Sequence, residues 1–316
     1  MEIKLYTHSG ACHADDVFAV AILQTAFEGN SIRVIRTRNP VELKQAAGMP
    51  LTFLLDVGGV YDPAELLFDH HQPQGAGYRQ PDIKEWPYAT AGLVWRHYGA
   101  QAVSQMHPSL TSAQVNEVVD AIDDQVLKYI DAVDCGIRFK SHGPSLSGII
   151  ASFNAASFET GEDSFPLVCD LARVLLTNFI NRQVAKISAM VQVRNSAKLS
   201  QGRVLKLEAC VPWVSVVADE MPGVKMVVYP VIQPDRHVWQ MRVAVDTGPN
   251  GQNRLTLPAN WGGLEHHALA TATGVKDALF CHRSLHLAGA ASFEGIISMA
   301  EKALAMHQDD RVALAA

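Results

Sequence analysis

The sequence has little that would staple it together or anchor it. Its five cysteines (Cys12, Cys135, Cys169, Cys210 and Cys281) are an odd number with no C-x-x-C pair. That argues against a disulfide framework and against a structural zinc site. A reducing, cytoplasmic compartment is the expectation. No apolar run approaches the length that crosses a bilayer. The Met-Glu-Ile-Lys start lacks the basic and apolar regions of a secretory leader. Positive charge is not in surplus: the formal net charge is −6, so no general polyanion-binding surface is expected. Repeats, low-complexity tracts and charge runs are missing too.

What is present is a core. Of 316 residues, 48% are hydrophobic and 18% charged, which reads as globular, with chain enough for two ordinary domains. The organising stretch is Phe68-Asp69-His70-His71-Gln72. The apolar run Leu66-Leu67-Phe68 predicts a short buried strand that delivers Asp69, His70 and His71 at its end. Adjacent titratable groups there are costly unless something binds them. Ile3 to Thr7 predicts a first strand, ending in His8-Ser9-Gly10-Ala11-Cys12-His13-Ala14-Asp15-Asp16. Leu51 to Leu55 predicts another, ending in Asp56-Val57-Gly58-Gly59. Each of these strands thus ends in residues that can hold a metal, and in open α/β sheets sites form beyond the carboxyl ends of the strands.

Spacing predicts helices over 16–27, 40–46, 89–98 (capped by Gly99), 111–133 and 145–153, and a strand over 31–36. Residues 73–87 read as a loop. The alternation implies a mostly parallel sheet flanked by helices. Gly161-Glu162-Asp163 opens a long helix reaching about Val193. Beyond Arg203 strands are expected at 204–207, 225–229, 238–245 and 278–282, with helices at 263–271 and 292–307. The expected division is a catalytic domain over 1–160, a connecting helix over 161–198, and a second, smaller α+β domain over 199–316.

Imidazole with hard carboxylate suits Mn²⁺, Fe²⁺ or Zn²⁺ better than a thiolate site would. His8, His13, Asp15, Asp56, Asp69, His70 and Asp134 exceed what one ion needs. Two ions about 3.5–4 Å apart, bridged by a carboxylate, would use most of them, activate a water and clamp a phosphoryl group. Hydrolysis of a phosphate ester or anhydride is the natural reaction class.

The motifs Thr-His-Ser-Gly-x-x-His-x-Asp-Asp (7–16), Asp-Val-Gly-Gly-x-Tyr-Asp-Pro (56–63), Phe-Asp-His-His-Gln (68–72), Asp-x-x-Asp-x-Gly (131–136), Leu-Pro-x-x-Trp-x-Gly-Leu (257–264) and Gly-Ile-Ile-Ser-Met-Ala (295–300) resemble the melanocyte-proliferating-gene family of metal-dependent hydrolases, within the DHH phosphoesterase superfamily. The resemblance implies a DHH-like lobe and a substrate lobe around a cleft. It also implies 3′→5′ exonuclease activity on RNA, with two divalent ions as cofactors: Mn²⁺ by preference, or Mg²⁺, Fe²⁺ or Zn²⁺. By position, His8, His13 and Asp56 would hold one ion, with Asp56 bridging. Asp15, His70 and one of Asp131 and Asp134, preferably Asp134, would hold the other. His71 would contact the phosphate or protonate the leaving oxygen. Two departures from the family pattern are His13, where wider superfamily members often carry an acid, and Cys135, where closer members carry Asn.

In the second lobe Arg254, His282, Arg283 and His286 are candidates for substrate contact, and Trp261 for base stacking. The expected partners are single-stranded RNA or a short oligonucleotide, with a homodimer left open and no membrane. Bland roles stand beside the sharp ones. Asp16 reads as a first-turn acid, Asp69 and Asp131 as groups behind the ligands or alternative ligands, Gly58-Gly59 as a tight turn, and His266-His267 as structural. The competing functions are a small-substrate phosphohydrolase (a nanoRNase, nucleotide phosphatase or pyrophosphatase) and a non-catalytic nucleotide or metal sensor.

Overall fold

The computed structural model describes residues 2–80, 85–140, 143–160, 163–232, 234, 236–246 and 251–313, with the side chains of 155–160 and 308–313 set aside. The expected helix opening at Gly161-Glu162 and part of the expected 73–87 loop therefore lie outside the described residues. The chain divides into two compact units, Met1–Val184 and Ala185–Ala316. The division falls inside the helix expected to connect the domains.

The first unit runs β1 (Glu2–Thr7), α1 (Ala14–Ala26), β2 (Ser31–Arg36), α2 (Pro40–Ala46), β3 (Thr52–Leu55), β4 (Tyr61–Asp62), β5 (Leu67–Phe68), α3 (Thr90–Met106), α4 (Ser112–Ile122), a π-helical turn over Asp123–Leu127, α5 (Lys128–Asp134), α6 (Leu146–Thr160) and α7 (Phe165–Arg194). Its sheet has the order β2-β1-β3-β5-β4, parallel throughout except for the β4–β5 pair. This is the expected mostly parallel sheet. Every residue of β3 is buried, as suits a parallel strand covered on both faces. The register explains the cover. Tyr6, Leu54 and Leu67 stand in line and pack against Leu43 and Ala46 of α2. Phe53 and Phe68, on the opposite pleat, meet Tyr98 of α3. Burying each such side chain contributes about 1.5–3 kcal/mol.

One helix expectation is corrected and one gains a detail. Gly99 does not stop α3, which continues to Met106. A Cβ at Gly99 would fall 2.7 Å from the Trp95 ring, so the glycine makes room for an indole folded along its own helix. The helix expected over 111–133 runs as continuous helical backbone from Ser112 to Asp134, with a π turn at 123–127 inside it, a wide turn of the kind found at functional sites.

The second unit comprises β6 (Ala197–Leu199), β7 (Val204–Lys206), α8 (Val214–Glu220), β8 (Met226–Ile232), β9 (His237–Val243), α9 (His266–Thr273), β10 (Ala278–Cys281), β11 (Leu287–Ala290) and α10 (Phe293–Ala313). Its mixed sheet, β10-β11-β9-β8-β7-β6, is antiparallel except between β7 and β8, giving the expected α+β texture. Alternation sorts the strand residues onto two faces. Val204, Met226, Val228, Met241 and Val243 join a core with Trp261. Leu205, Val227 and Tyr229 join another with Trp213 and Val217.

Candidate metal centre

The strands carrying the three motifs are neighbours. β1, β3 and β5 lie side by side and parallel, so the residues that follow them emerge at one edge of the sheet. His8 follows β1. His13 stands before α1, and Asp15 and Asp16 fill the first turn of that helix. Asp56 follows β3 with φ +56°, a left-handed conformation uncommon for a side-chain-bearing residue, though Asp tolerates it better than most. Asp69, His70 and His71 follow β5. The C-terminal end of α5 brings Asp134.

These side chains converge. Asp56 stands between two imidazoles: Oδ2 is 3.3 Å from His8 Nε2 and Oδ1 is 3.3 Å from His70 Nε2. His70 Nε2 also lies 3.1 Å from Asp134 Oδ2 and 3.8 Å from Asp15 Oδ2. His13 Nδ1 is 3.7 Å from Asp134 Oδ1. Three sets of donor atoms lie within 4.8 Å of one another: His8, His13 and Asp56; His13, Asp15 and Asp134; and Asp56, His70 and His71. The last set includes His71, expected from the sequence to act on substrate.

The donors are buried yet unsatisfied. Both carboxylate oxygens of Asp15, Nε2 of His8 and Nε2 of His70 have no hydrogen-bond partner. The two imidazoles have carboxylates close by but poorly aligned, and Asp15 has only His70, at 3.8 Å, to set against neighbouring carboxylates. His8 Nδ1 lies 3.3 Å from the Ser9 carbonyl, which leaves Nε2 as the free lone pair. Buried polar atoms are almost always paired, so orphans gathered on one spot fit a cation-binding site. The nitrogen-and-oxygen set fits a hard or borderline divalent ion.

Electrostatics agree. Burial pushes the Asp15 carboxyl well above its ordinary range, and the carboxylates of Asp56 and Asp134 push it further. Asp16 is raised by burial to about 7. Burial would lower the pKa of His8 and His70. Asp56 and Asp16 beside His8, and Asp134 and Asp56 beside His70, outweigh it, and both are raised. Burial would raise Asp56, but His70 and His8 hold it below the usual carboxylate range. Carboxylates crowd around the two imidazoles and raise their pKa, a charge balance that a divalent cation would meet by binding the same groups deprotonated.

Other expected residues separate by role. Asp69 is engaged: Oδ2 accepts from the Gly59 N–H at 2.6 Å, and Oδ1 accepts from the His71 N–H and lies 2.8 Å from His71 Nδ1. It thereby holds the Gly58-Gly59 turn and aims His71, whose side chain is 60% exposed. Asp131 is fully buried. It accepts from the Gly92 N–H and from Arg79, which also forks onto Asp123. Asp131 thus fixes α5 while Asp134, three residues on, reaches His70. Asp16 accepts from the His13 N–H at 3.0 Å, the expected first-turn role, and its other oxygen is 3.2 Å from His8 Nε2.

Two expectations in the second unit are corrected. Arg254 is not free for substrate. Its guanidinium donates to Asp246 and to the carbonyls of Met221, Val224, Val217 and Ala218, satisfying the end of α8. Trp261 cannot stack on a base, because it is fully buried in the core. His282 and Arg283 are exposed on the turn between β10 and β11, and His282 packs its ring on His286 at 4.7 Å.

Sequence reasoning missed the braces. Arg36 donates to the carbonyls of His8 and Gly10 and to Asp163. Arg38 donates to Ser9. Asn154 bonds both the N–H and the carbonyl of Cys12. Thr90 Oγ1 donates to Asp56 Oδ1 at 3.3 Å. The only signal for Arg36 was its place at the end of an alternating strand, and Arg38, beyond that strand, gave none. Asn154 lies 142 residues from its partner and gave none. All five cysteines are free.

Residues 4–304 match the MYG1 exonuclease family model, described as an uncharacterised protein family (UPF0160). The Mus musculus protein named MYG1 exonuclease is 26% identical over 330 residues, covering 96% of this chain and 85% of its own. The Schizosaccharomyces pombe MYG1 protein C694.04c is 27% identical over 328 residues, covering 97% of this chain and 99% of its own. Among solved structures, a pGpG-specific phosphodiesterase, PggH, from Vibrio covers 96% of this chain and 97% of its own at 16% identity. Its TM-score of 0.24 is too low to carry an argument.

Proposed function

The chain belongs to the MYG1 exonuclease family of hydrolases, and from that premise we propose that it is a metal-dependent phosphodiesterase acting as a 3′→5′ exonuclease on RNA. The observation that carries this reading is the set of buried, unpaired donor atoms of His8, Asp15 and His70 around Asp56. His8, His13 and Asp56 would hold one divalent ion. Asp15, His70 and Asp134 would hold a second, with Asp56 bridging. Bound ions of this kind lower the pKa of a coordinated water and neutralise phosphoryl oxygens. Mn²⁺ is the proposed metal. His71, aimed by Asp69 and open to solvent, would contact a phosphate or give a proton to the leaving oxygen. Asp131 and Arg79 position Asp134, while Arg36, Arg38 and Asn154 hold the first loop in shape. His282 and Arg283 remain candidates for substrate contact. The formal net charge of −6 favours short strands over long ones.

The test uses metal-stripped protein with added Mn²⁺ on a 5′-labelled single-stranded RNA, with His70→Ala as control. A ladder shortening from the 3′ end, lost in the variant, is the expected result. Release of phosphate or mononucleotide from dinucleotides or pyrophosphate alone would replace it with a small-substrate phosphohydrolase. No turnover on either would leave the sensor reading.

A further inference from the structure

The ring expected to stack on a base, Trp261, is sealed in a core, yet the first unit carries an aromatic cluster that the proposed chemistry does not use. The Trp86 and Phe139 rings lie nearly parallel, at 15° with centroids 5.8 Å apart. Tyr129 meets Trp86 edge-on at 5.3 Å and Phe139 at 5.5 Å. A core cluster hides its rings. Here Tyr129 is 43% and Phe139 41% exposed. Cations gather on the same spot. The Lys128 ammonium lies 4.8 Å from the Trp86 centroid and 5.2 Å from that of Tyr129, held there by Asp124. Arg138 and Lys140 flank Phe139, both exposed and without an ion pair among the described residues. In a chain of formal net charge −6, unpaired cations beside open rings complement an anion with flat, apolar groups.

The cluster is joined to the metal centre by short stretches of chain. Trp86 stands two residues before Tyr88, whose carbonyl is 3.7 Å from Cys135 Sγ. That sulfur is 3.8 Å from His70 Nδ1. On the other side, Phe139 follows Asp134 by one turn of chain, folded back where the Ile137 N–H donates to the Ala132 carbonyl at 2.8 Å.

We propose that Trp86, Tyr129 and Phe139, with Lys128, Arg138 and Lys140, form a stacking platform for a base of the single-stranded nucleic acid whose phosphodiester lies at the metal centre. The inference rests on the phosphodiesterase reading and names where that substrate is gripped. Rings accept any base on their π-faces, and the cations answer the backbone, so the grip is tolerant of sequence.

The experiment measures KM and kcat with Mn²⁺ on a set of short RNA strands, each lacking the base at one position counted from the 3′ end. Wild-type protein is expected to show one position where losing the base raises KM about 10-fold. Phe139→Ala should raise KM for the intact strand by about as much and lose that dependence. Phe139→Trp should restore both, and an unchanged melting temperature would show that the alanine variant is folded. A Phe139→Ala protein that keeps the wild-type KM and the wild-type positional dependence overturns the platform while leaving the phosphodiesterase reading intact. Wild-type protein that cleaves none of the strands overturns that reading, and the platform falls with it.

Discussion

Asp15 and Arg254 are both charged, both buried, and each sits in a different unit; they are opposite kinds of residue. Every direction of the Arg254 guanidinium meets a carbonyl or carboxylate. Neither oxygen of Asp15 meets a donor. Among the described residues, the buried imidazole and carboxylate atoms without hydrogen-bond partners all belong to the first unit. A satisfied buried charge belongs to the architecture, whereas an unsatisfied one is held in readiness for something else. In the sequence both are candidate site residues, Asp15 as a metal ligand and Arg254 as a substrate contact. The contrast lies in the partners.

Four substitutions test that contrast, and the largest effect is expected at Asp56. Asp56→Asn should abolish turnover and lower the bound metal measured by elemental analysis. Full activity with full metal would remove Asp56 from the centre. Asp131→Asn touches no donor set but loosens the Arg79 clamp behind Asp134. A fall of about 10–100-fold in metal affinity by titration is expected, and unchanged affinity would make Asp131 purely architectural. Arg254→Ala should cost about 1.5–3 kcal/mol in denaturant unfolding with metal content untouched; a stable variant with raised KM would return Arg254 to the substrate. The smallest shift has the opposite sign. Asp15→Asn removes a buried charge that accepts no hydrogen bond and is crowded by the Asp56 and Asp134 carboxylates, so the metal-free protein should gain about 0.5–2 kcal/mol while losing metal binding. Because the folded-state pKa of Asp15 is raised, wild-type Asp15 takes up a proton as pH falls, and that gain should shrink toward acid pH. A destabilised metal-free variant would show that Asp15 is paired after all.

Much of this was legible because it is local. The strand–motif pairs at residues 3–16, 51–59 and 66–72 are contiguous, and parallel pairing of β1, β3 and β5 does the rest by bringing their ends to one edge. Asp134 is preferred to Asp131 as a ligand on sequence, and in the fold Asp131 is committed to Arg79 and Gly92 while Asp134 reaches His70. What stayed hidden depends on partners far away in sequence or on packing. Arg36 and Asn154 brace a loop they reach only after folding. Gly99 reads as a helix stop until the Trp95 ring is seen filling its space. The π turn at 123–127 leaves the apolar periodicity of 111–133 intact and so leaves no mark on it. Trp261 and Arg254 sit in a polar, glycine-rich neighbourhood that suggests surface, but β8 and β9 share a core with Trp261 and the end of α8 takes the Arg254 guanidinium.

The backbone at Asp56 sets its own terms for which residues may stand there. At φ +56° a side chain with a Cβ is disfavoured, least so for Asp and Asn, while glycine pays nothing. The turn after β3 therefore filters the alphabet before any ion does, and what passes is mostly carboxylate, its amide, or no side chain. Metal chemistry then chooses the carboxylate from that short list. Alanine at this position would suffer twice, once for the missing oxygen and once for the conformation, so Asp56→Asn isolates the chemical loss and Asp56→Ala does not.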